Sequence, residues 1–390
     1  MKKKSIDSVC YILAGGGSGG HLYPGIAAAE ALRESDPDSE VLFLCTERQI
    51  DRDILDGSGW SYRMQPVRPL PRKLSQALDF WRRWRASVRM CRRLMSKRKK
   101  IVVLGLGGFA SGPAMMVAAK SQFPVGMLNP DAVPGRANRF GRKYADKIFL
   151  QWQESVKYFK ADSKKCVVSG CPIRESFVGV RPGKVYAKQQ LGLDGDKRVL
   201  VVMGGSQGGH NVNEAVIRCL TCGRENSVVK RMPSQWQVLH ITGQEDWVRV
   251  KQEYGNAGIN AKVLHFTKQM DMVLASADLV IGRAGASSLA ELTAVGLATI
   301  LLPYPYHKDN HQLRNAQVLE KAGAARIVID DCNTESTAER LEKVLEECIK
   351  EDTTQQMGLS AKTIAKPDAA AAVVIELKKL LVEQIVSVVD

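Results

Sequence analysis

One pattern occurs twice in this chain: a short apolar run, then a glycine-rich loop, then a segment with helical periodicity. The first copy leads from residues 9–14 through 15–21 (GGGSGGH) into a helix. The second leads from 199–203 through 204–210 (GGSQGGH) into a helix at 213–220. A strand that passes through a glycine loop into a helix is the opening unit of a doubly wound domain. Two copies in 390 residues therefore predict an α/β chain with two Rossmann-like domains.

Further apolar runs predict the other strands of two parallel sheets, and several are followed by glycine and a helical pattern. These runs are 41–44, 101–104, 147–150, 238–241, 279–281 and 299–302. A polar, turn-rich stretch at 181–196 predicts a hinge just before it. We therefore expect an N-terminal domain over 1–173 and a C-terminal domain over 174–368, followed by an apolar-striped helix within 369–390.

The composition is that of an ordinary globular protein. Hydrophobic residues make up 45% of the chain and charged residues 25%, which argues against disorder. Nine scattered cysteines fit a reducing compartment, and the CxxC at Cys219 and Cys222 lacks the second pair of a zinc site. No apolar run approaches twenty residues, and 9–14 is too short for a signal peptide. We therefore expect a soluble, cytoplasmic protein that meets a membrane only peripherally.

The positive charge is concentrated in one segment. The chain carries a net charge of +15, and residues 63–100 contain fourteen Lys or Arg residues against a single acid, Asp79. Such an asymmetry indicates a face that meets an anionic surface, which is either nucleic acid or acidic lipid.

The same segment has the pattern of an interfacial helix, with arginines placed between apolar residues at three- and four-residue steps. The apolar positions are Leu74, Leu78, Trp81, Trp84, Val88, Cys91 and Met95. The alternative is that this apolar stripe packs on its own sheet. Both interpretations hold in part if some apolar residues pack inward while the tryptophans face lipid. Because nucleic acid would explain the charge but not the glycine loops, we expect residues 68–100 to meet an anionic membrane surface and no nucleic acid to bind.

The glycine loops indicate phosphate binding. Between a strand and a helix, such a loop exposes backbone N–H groups and lets an anion approach the helix N-terminus, whose dipole favours negative charge. The first loop has a GxGxxG spacing at Gly15, Gly17 and Gly20, but this match alone is weak, and no Walker lysine follows. The alternative is that the glycines serve only the tight packing of strand on helix.

A third strand–turn–helix unit indicates a ligand site. Residues 278–283 read as a strand end, 284–288 as a turn with an N-cap, and 289–292 as a helix. Glu291 lies early in that helix, where its carboxylate can accept both hydroxyls of a ribose; the alternative is a solvated helix glutamate. A densely polar loop at 303–312 (PYPYHKDNHQ) then opens the next helix, which favours a ligand site over a plain connection.

Four segments are distinctive as a set. They are 15–21 (GGGSGGH), 107–113 (GGFASGP), 204–208 (GGSQG), and 285–291 together with 307–312 (HKDNHQ). In this order they resemble the MurG family of peptidoglycan glycosyltransferases, and the resemblance runs from about residue 9 to residue 327. It implies a GT-B fold, in which two Rossmann-like domains face each other across a cleft and the last helix, 369–390, returns to the first domain.

The resemblance also implies an activity and a set of substrate-binding residues. The activity is inverting transfer of N-acetylglucosamine from UDP-N-acetylglucosamine to undecaprenyl-pyrophosphoryl-N-acetylmuramoyl-pentapeptide (lipid I to lipid II) at the cytoplasmic face of the plasma membrane. The implied donor residues are Arg174 and Ser206 at the pyrophosphate, Glu291 at the ribose, His311 and Gln312 at the sugar, and also Gln207, Gly208, Met270 and Ser287. The implied acceptor residues are Ser18, Gly19, Gly20, Ser111 and Asp131, in or near the N-terminal glycine loops.

The chain departs from the family pattern at three places. Where the family usually has His-Glu-Gln-Asn, this chain has Leu-Asn-Pro-Asp at 128–131. Cys171 replaces a usual asparagine, and His311 replaces a glutamine of some members. These positions lie near the expected substrates, so the departures concern substrate details more than the fold.

Inverting transfer requires a base for the acceptor hydroxyl. Our hypothesis is that His21 or Asp131 is this base. His21 ends the first glycine loop and titrates near neutral pH, and Asp131 places a carboxylate where the family has a neutral residue. The alternative for His21 is that it only caps the helix or binds phosphate. His210, in the matching place of the second loop, is expected to be structural.

We expect no required metal or cofactor. The N–H groups of residues 204–206, the neighbouring helix N-terminus and Arg174 can stabilise the departing UDP without a cation. The two Asp-x-Asp strings, at 36–38 and 51–53, do not follow a strand into a glycine loop, and we interpret both as surface turns.

Two other functions stay open at this stage. One keeps the enzyme class but changes the acceptor to another membrane lipid, such as diacylglycerol. The other is a non-catalytic protein that binds nucleotides or polyanions, which the charge and the departure at 128–131 favour. A Rossmann dehydrogenase is disfavoured because the glycine loop occurs twice and no paired catalytic histidine and acid stands out.

Overall fold

The computed structural model describes residues 8–71, 73–179, 181–205, 209–221, 235–306 and 309–389. Contacts divide the chain into two compact units, one formed by Met1–Glu175 with Lys366–Asp390 and the other by Ser176–Ala365. Six residues of the motifs singled out in the sequence lie outside the described residues. They are Ser206, Gln207 and Gly208 of the second glycine loop, Cys222 of the CxxC, and His307 and Lys308 of the polar loop at 303–312.

The first unit is built on a parallel sheet. Its strands are β1 (Cys10–Ala14), β2 (Glu40–Thr46), β3 (Ser61–Gln65), β4 (Ile101–Gly105), β5 (Val125–Asn129), β6 (Lys147–Leu150) and β7 (Cys166–Val167). They pair in the order β3-β2-β1-β4-β5-β6-β7. The direction of winding reverses between β1 and β4, so the loops that follow these two strands diverge and leave a crevice at their carboxyl ends.

Helices cover both faces of this sheet. They are α1 (Gly19–Ser35), α2 (Gln49–Asp56), α3 (Ala77–Met95), α4 (Gly112–Lys120) and α5 (Arg136–Gly141), with 3-10 turns at Leu74–Gln76, Phe109–Ser111, Arg142–Tyr144 and Gln153–Lys165. One face packs on α3 and α4, and the other packs on α1. Strands β1, β4 and β5 are buried along their whole length, because helices cover them on both sides.

The second unit repeats this plan. Its strands are β8 (Arg198–Met203), β9 (Trp236–Ile241), β10 (Ala261–Leu264), β11 (Leu279–Gly282), β12 (Ala298–Leu301) and β13 (Ala325–Ile327). Its helices are α6 (Lys184–Gln190), α7 (His210–Thr221), α8 (Trp247–Asn256), α9 (Met270–Ser276), α10 (Ala286–Val295), α11 (His311–Lys321), α12 (Thr334–Cys348) and α13 (Glu351–Ile364). The parallel order β10-β9-β8-β11-β12-β13 reverses between β8 and β11.

The last helix, α14 (Ala369–Val389), belongs to the first unit, where Val373 and Leu377 pack into the core beside α1. In the described part of the chain, no helix is long and apolar enough to cross a membrane.

The structure confirms the predicted α/β class, and every predicted apolar run overlaps an observed strand. Five strands were not predicted, namely β3, β5, β7, β10 and β13. Four of these are the outermost strands of the two sheets. An edge strand is covered less completely than a central one, so its sequence does not form a continuous apolar run.

Two local predictions were wrong. The turn predicted at 284–288 is shorter, because α10 begins at Ala286 with Gly285 as its N-cap, and Ser287 lies in the first helical turn. The string at 51–53 is not a surface turn, since it lies within α2 and Asp51 is completely buried. The backbone N–H groups that bond to the Asp51 carboxylate account for this burial.

Candidate active site

In the first unit, polar groups gather at the carboxyl ends of β1, β4 and β5, which are neighbours in the sheet. The loop after β1 leads into α1, where His21 lies in the first turn. Asp131 follows β5, and its charge acts on the His21 imidazole. Because parallel strands present their carboxyl ends at one edge, these loops border the crevice where the sheet order reverses. The structure therefore brings the two predicted bases to the same edge.

The His21 ring lies against two glycines of the loop after β4. A Cβ atom added at Gly107 would come within 3.2 Å of Cδ2 of His21, and one at Gly108 within 3.1 Å of Cε1. These glycines have φ angles of 98° and 72°, which other residues rarely adopt. Both positions therefore require glycine, for the turn and for the close approach of the imidazole. On the other side, Oγ of Ser18 lies 3.1 Å from Nδ1 of His21.

Burial lowers the pKa of the half-buried His21 below its ordinary value of 6.5. The negative charges of Asp131 and Asp51 and a hydrogen bond with the backbone of Gly16 act in the opposite direction, but desolvation outweighs them. The imidazole is therefore neutral at pH 7, and the neutral form is the one that accepts a proton.

Asp51 is the residue that sequence reasoning misjudged. Its buried carboxylate accepts hydrogen bonds from the N–H of Gly17 at 2.8 Å, the N–H of Thr46 at 2.9 Å and the hydroxyl of Thr46 at 2.7 Å. Nη1 of Arg48 donates to the carbonyl of Gly17 at 2.9 Å. Side chains at the start of α2 thus hold both backbone groups of Gly17. The first glycine loop consequently has one N–H fewer to offer a phosphate than its sequence predicts.

The loop that carries Asp131 is held by buried side chains. Nδ2 of Asn129 donates to the carbonyl of Asp131 at 2.9 Å, and Nδ2 of Asn138 donates to Oδ1 of Asn129 at 3.0 Å. The hydroxyl of Ser155 also donates to the Asp131 carbonyl, at 3.2 Å. The departure from the family pattern at 128–131 therefore spans the end of β5 and the start of the next loop, and hydrogen bonds there fix the backbone of Asp131.

The other predicted acceptor residues differ in what they offer. The hydroxyl of the buried Ser111 donates to the carbonyl of Gly108 at 2.9 Å. Gly19 and Gly20 open α1, and N–H groups in the first turn of a helix have no acceptor within the helix. Backbone N–H groups of α1 are therefore better placed to bind an anion than the Ser111 side chain.

In the second unit, the described members of the predicted donor set lie at the carboxyl edge of the sheet. Ser287 and Glu291 lie on α10, which follows β11; His311 and Gln312 open α11, which follows β12; and Met270 opens α9. All five are half-buried. Because the helices run antiparallel to the strands, the starts of α9, α10 and α11 face this edge, where their dipoles favour negative charge.

Gln312 links two strand ends. Its Oε1 accepts hydrogen bonds from the N–H of Tyr304 at 2.9 Å and of Ala284 at 3.3 Å. Nδ2 of Asn315, one turn later in α11, donates to the carbonyl of Ala284 at 3.2 Å. The carboxamide oxygen of Gln312 is thus used within the protein, so a ligand would meet this side chain through its amide hydrogens.

Sequence reasoning missed a buried ion pair beside these residues. Nη1 of Arg283 lies 2.8 Å from Oδ2 of Asp330, and it also donates to the carbonyl of Leu302 at 3.0 Å. The Arg283 guanidinium lies 5.5 Å from the ring centroid of Tyr304, and Nδ2 of Asn211 donates to Asp330 at 3.3 Å. The pair ties the ends of β11 and β12 to the start of α7. Because its partners are 47 residues apart, no local motif reveals it.

His210 begins α7 and is held by a carboxylate. Its Nδ1 lies 3.0 Å from Oδ1 of Asp246, while the imidazole is 67% exposed. Burial acts to raise the pKa of Asp246, but hydrogen bonds from Asn213, His210 and Arg249 outweigh it and lower the pKa. His210, Glu214 and Asp246 bring possible metal-ligand atoms within 4.8 Å, and Arg249 already forms ion pairs with both carboxylates. The structural role expected for His210 stays a prediction.

Arg174, which the resemblance assigns to the donor pyrophosphate, lies in the first unit. The Cζ atom of its guanidinium lies 4.7 Å from the ring centroid of Tyr23. Its charge also acts to lower the pKa of Glu30, although burial raises that pKa overall. Arg174 therefore packs on α1, and its role toward a substrate stays a prediction.

Comparisons with known sequences identify one family over most of the chain. The sequence profile of the glycosyltransferase family 28 N-terminal domain matches residues 11–150, and that of the glycosyltransferase family 28 C-terminal domain matches 199–374. A protein of Halothermothrix orenii is 37% identical over 366 residues, which cover 91% of this chain and 95% of that protein. Its name is UDP-N-acetylglucosamine–N-acetylmuramyl-(pentapeptide) pyrophosphoryl-undecaprenol N-acetylglucosamine transferase.

Solved structures share the fold. MurG of Acinetobacter baumannii matches with a TM-score of 0.71 at 24% identity, covering 96% of this chain and 99% of that one. A UDP-GlcNAc 2-epimerase from Neisseria meningitidis, bound to UDP-GlcNAc, matches with a TM-score of 0.64 at 12% identity, covering 95% of this chain and 100% of that one. The likenesses confirm the GT-B fold. Because an epimerase shares it with a transferase, the fold alone does not select a reaction.

Proposed function

This chain belongs to the MurG family within glycosyltransferase family 28, and we propose that it transfers N-acetylglucosamine from UDP-N-acetylglucosamine to undecaprenyl-pyrophosphoryl-N-acetylmuramoyl-pentapeptide. The reaction converts lipid I to lipid II in peptidoglycan synthesis and inverts the configuration at the anomeric carbon of the donor sugar. The observation that carries the proposal is the 37% identity to a transferase of this name across 95% of that protein's length.

The acceptor hydroxyl gives its proton to His21. Two features of the first unit support this role: the imidazole is neutral at pH 7, and it lies at the crevice where the sheet order reverses. The negative charge of Asp131 stabilises the imidazolium that forms as the proton arrives. Asp131 is also the alternative base.

The acceptor pyrophosphate binds at the start of α1. Gly19 and Gly20 supply backbone N–H groups there, and the helix dipole adds a favourable field. The Ser18 hydroxyl contacts either the acceptor pyrophosphate or the proposed base, His21, since it lies 3.1 Å from Nδ1 of that imidazole. Ser111 contributes by shaping the loop after β4 through its bond to Gly108.

The donor binds at the carboxyl edge of the second sheet. Glu291 accepts the hydroxyls of the ribose, His311 and Gln312 contact the sugar, and Met270 and Ser287 border the nucleotide. The half-burial of these five residues at the starts of three helices supports the assignment. Ser206, Gln207, Gly208 and Arg174 complete the proposed contacts to the donor. Backbone N–H groups and helix dipoles stabilise the charge that develops on the departing UDP.

The chain meets the cytoplasmic face of the membrane through residues 68–100. Large apolar side chains are exposed there in succession, with Leu74 at 95%, Leu78 at 82% and Trp81 at 56%. The acid of this segment, Asp79, forms ion pairs with Arg82 and Arg83, and the hydrogen bond from Arg83 lowers the pKa of the Asp79 carboxyl. An apolar ridge bordered by an excess of positive charge suits the interface of an anionic bilayer.

A groove beside this ridge supports the same proposal. It has a volume of about 610 Å³ and lies on α3 where that helix faces α4. Its lining consists of Trp81, Trp84, Arg85, Val88, Arg89, Arg92 and Met116. Guanidinium groups next to aromatic walls can hold a phosphate while the apolar residues contact the acyl region.

The experiment that tests the proposed reaction offers labelled UDP-N-acetylglucosamine to two acceptors in the same detergent. One is a short-chain lipid-linked muramoyl-pentapeptide pyrophosphate, and the other is diacylglycerol. We expect label only in the first product, with a β linkage seen in the proton coupling of its anomeric carbon. Glu291→Gln should raise the KM for the donor and leave that for the acceptor unchanged. Equal labelling of diacylglycerol, or none of the muramoyl acceptor, contradicts the proposal.

A further inference from the structure

The peptide group that joins Gly16 to Gly17 lies between two ionisable side chains. Its N–H donates to both carboxylate oxygens of Asp51, at 2.8 and 2.9 Å. Its carbonyl belongs to Gly16, whose backbone is hydrogen-bonded to the His21 ring. No cis peptide bond occurs among the described residues, and in a trans peptide the N–H and C=O point in opposite directions. One peptide group therefore connects a buried carboxylate with the imidazole.

We propose that Asp51 is a positioning residue for His21 and that it acts through this peptide group. The proposal rests on the role of His21 as the base. Asp51 does not touch a substrate: by holding the N–H of Gly17, it fixes the Gly16 carbonyl toward the imidazole. That carbonyl then selects the ring orientation and the tautomer, and one ring nitrogen is kept ready to accept the proton of the acceptor hydroxyl.

The surrounding chain is built to hold the peptide in this orientation. Gly16 has a φ angle of 144°, and a Cβ atom on it would overlap Oδ2 of Asp51, so only glycine admits the carboxylate. The N–H and hydroxyl of Thr46 fix the rotation of the carboxylate. Arg48 fixes the next carbonyl of the loop, that of Gly17. The hydrogen bonds that fix the peptide and its neighbours thus come from the end of β2 and the start of α2.

The electrostatic consequence has a definite sign. The charged groups that act on His21 are Asp131, after β5, and Asp51, on α2. Arg48, which bonds to the carbonyl of Gly17, immediately precedes α2. Both carboxylates act to raise the pKa of the imidazole. When a carboxylate accepts a hydrogen bond from a peptide N–H, the carbonyl of the same peptide group becomes a stronger hydrogen-bond acceptor. Removal of the Asp51 charge should therefore lower the pKa of His21 further.

A merely structural role for Asp51 makes a different prediction. A buried carboxylate with three hydrogen-bonding partners stabilises the fold, so its loss weakens stability in either case. Loss of the Asp51 charge lowers the His21 pKa in either case, and only the positioning role requires that the tautomer ratio of His21 changes as well. The readout that separates the two is therefore spectroscopic and does not depend on turnover.

The test compares Asp51→Asn with Asp53→Asn, which removes an exposed carboxylate from the same helix. At the helix surface, Oδ1 of Asp53 accepts a hydrogen bond from Nε2 of Gln49 at 2.7 Å. The imidazoles are labelled with ¹⁵N and followed by NMR against pH, and the His21→Gln spectrum identifies the His21 signals among the six histidines. We expect Asp51→Asn to lower the His21 pKa, change its tautomer ratio, and reduce kcat about tenfold or more with little change in KM. Asp53→Asn should match the wild type.

Thr46→Val provides the structural reference, because it removes one donor to Asp51 and keeps the charge. It should reduce stability without moving the His21 pKa. If Asp51→Asn does not fold, Asp51→Glu, which displaces the carboxylate by one methylene, should change the tautomer ratio and lower kcat. An unchanged His21 tautomer ratio in a folded Asp51 variant overturns the inference. Absence of transfer by the wild type would instead overturn the proposed reaction, and the two failures are therefore distinguishable.

Discussion

His21 and His210 end the two glycine loops at matching places, but their environments differ. His21 packs against Gly107 and Gly108, and burial lowers its pKa. His210 is exposed and its ring is held by Asp246. The difference comes from the neighbouring loops rather than from the histidines themselves. His21 therefore combines a neutral ring with an enclosed position, which suits a general base.

We expect His21→Ala to lower kcat by about 10² to 10⁴, the range typical of a general base. Asp131→Asn should lower kcat less, because it removes only the charge that stabilises the imidazolium. His210→Ala is the matched control and should stay within about threefold of wild type, because its ring is exposed and is held by Asp246. Steady-state release of UDP measures all three.

The pH dependence follows from the same assignment. Since burial lowers the pKa of His21, kcat/KM should fall as the pH drops through a value below 6.5. In Asp131→Asn this acid limb should move to still lower pH, because the Asp131 charge raises the His21 pKa. Near-normal turnover of both His21→Ala and Asp131→Asn would rule out the assignment.

Two interactions between individual residues could not be predicted from the sequence. The burial of Asp51 depends on a glycine N–H that lies 34 residues earlier in the chain, and the Arg283–Asp330 pair joins residues 47 apart. Neither produces a local periodicity or motif. The signal available for Asp51 is its place in the first turn of α2, where a carboxylate is favoured. Glu291, by contrast, was correctly placed on a helix, because the strand, turn and helix are adjacent in sequence.

Among the elements, α3 and the 3-10 turn before it form a segment whose first half is exposed and whose second half is buried. Leu74, Leu78 and Trp81 are exposed, whereas Val88 and Met95 are buried in the core of the first unit. The interpretation that the stripe packs on its own sheet therefore holds for the second half, and membrane contact by the first half stays a prediction. Of the two tryptophans, Trp81 is exposed and Trp84 is half-buried. A Cβ atom on Gly112 would come within 2.8 Å of Cη2 of Trp84, so the indole lies directly on α4.

The exposed half predicts membrane binding. Leu78→Ser with Trp81→Ala, and separately Arg85→Glu with Arg89→Glu, should each weaken binding to anionic vesicles by about tenfold or more, since each basic group near the surface contributes roughly 1 kcal/mol. Transfer to a short-chain acceptor in detergent should persist in both variants. Vesicle sedimentation measures the binding.

A matched control reverses two exposed charges of the second unit, Lys321→Glu with Lys343→Glu, and should bind like the wild type. If the α3 variants also bind normally, the proposed membrane surface is wrong.

A buried polar chain in the second unit predicts a pH-dependent stability. His240, on β9, lies between the hydroxyl of Tyr254 at 2.9 Å and Oδ1 of Asn213 at 3.0 Å. Burial lowers its pKa from 6.5 to about 3. Between these values the unfolded state binds one proton more than the folded state, so the free energy of unfolding falls as the pH decreases, by about 1.4 kcal/mol per pH unit.

Urea unfolding at pH 7 and pH 5 tests this prediction, with His240→Gln as the reference. The variant should be less stable at pH 7 but should lose less stability on acidification, because it lacks the titrating group. Equal losses in the two proteins would show that His240 does not contribute.

At the scale of the whole molecule, the chain uses one device twice. In each unit a parallel sheet reverses its order beside the strand that leads into a glycine loop, and the polar residues gather at that edge. The first unit presents the proposed base and the second the proposed donor contacts. The organisation into two such units was predictable, because central strands are buried on both faces and their sequences therefore form apolar runs. The edge strands were not predictable, since they are covered less completely and do not form continuous apolar runs. The long-range hydrogen bonds were not predictable because they join residues that are far apart in the sequence.

The proposed reaction moves a sugar from a UDP donor to a lipid-linked muramoyl acceptor. It is tested by release of UDP from UDP-N-acetylglucosamine with and without a short-chain lipid-linked muramoyl-pentapeptide. We expect release that depends on the acceptor and is lost in His21→Ala. If the donor binds but the acceptor causes no release of UDP, the fold assignment stands and the proposed reaction is contradicted.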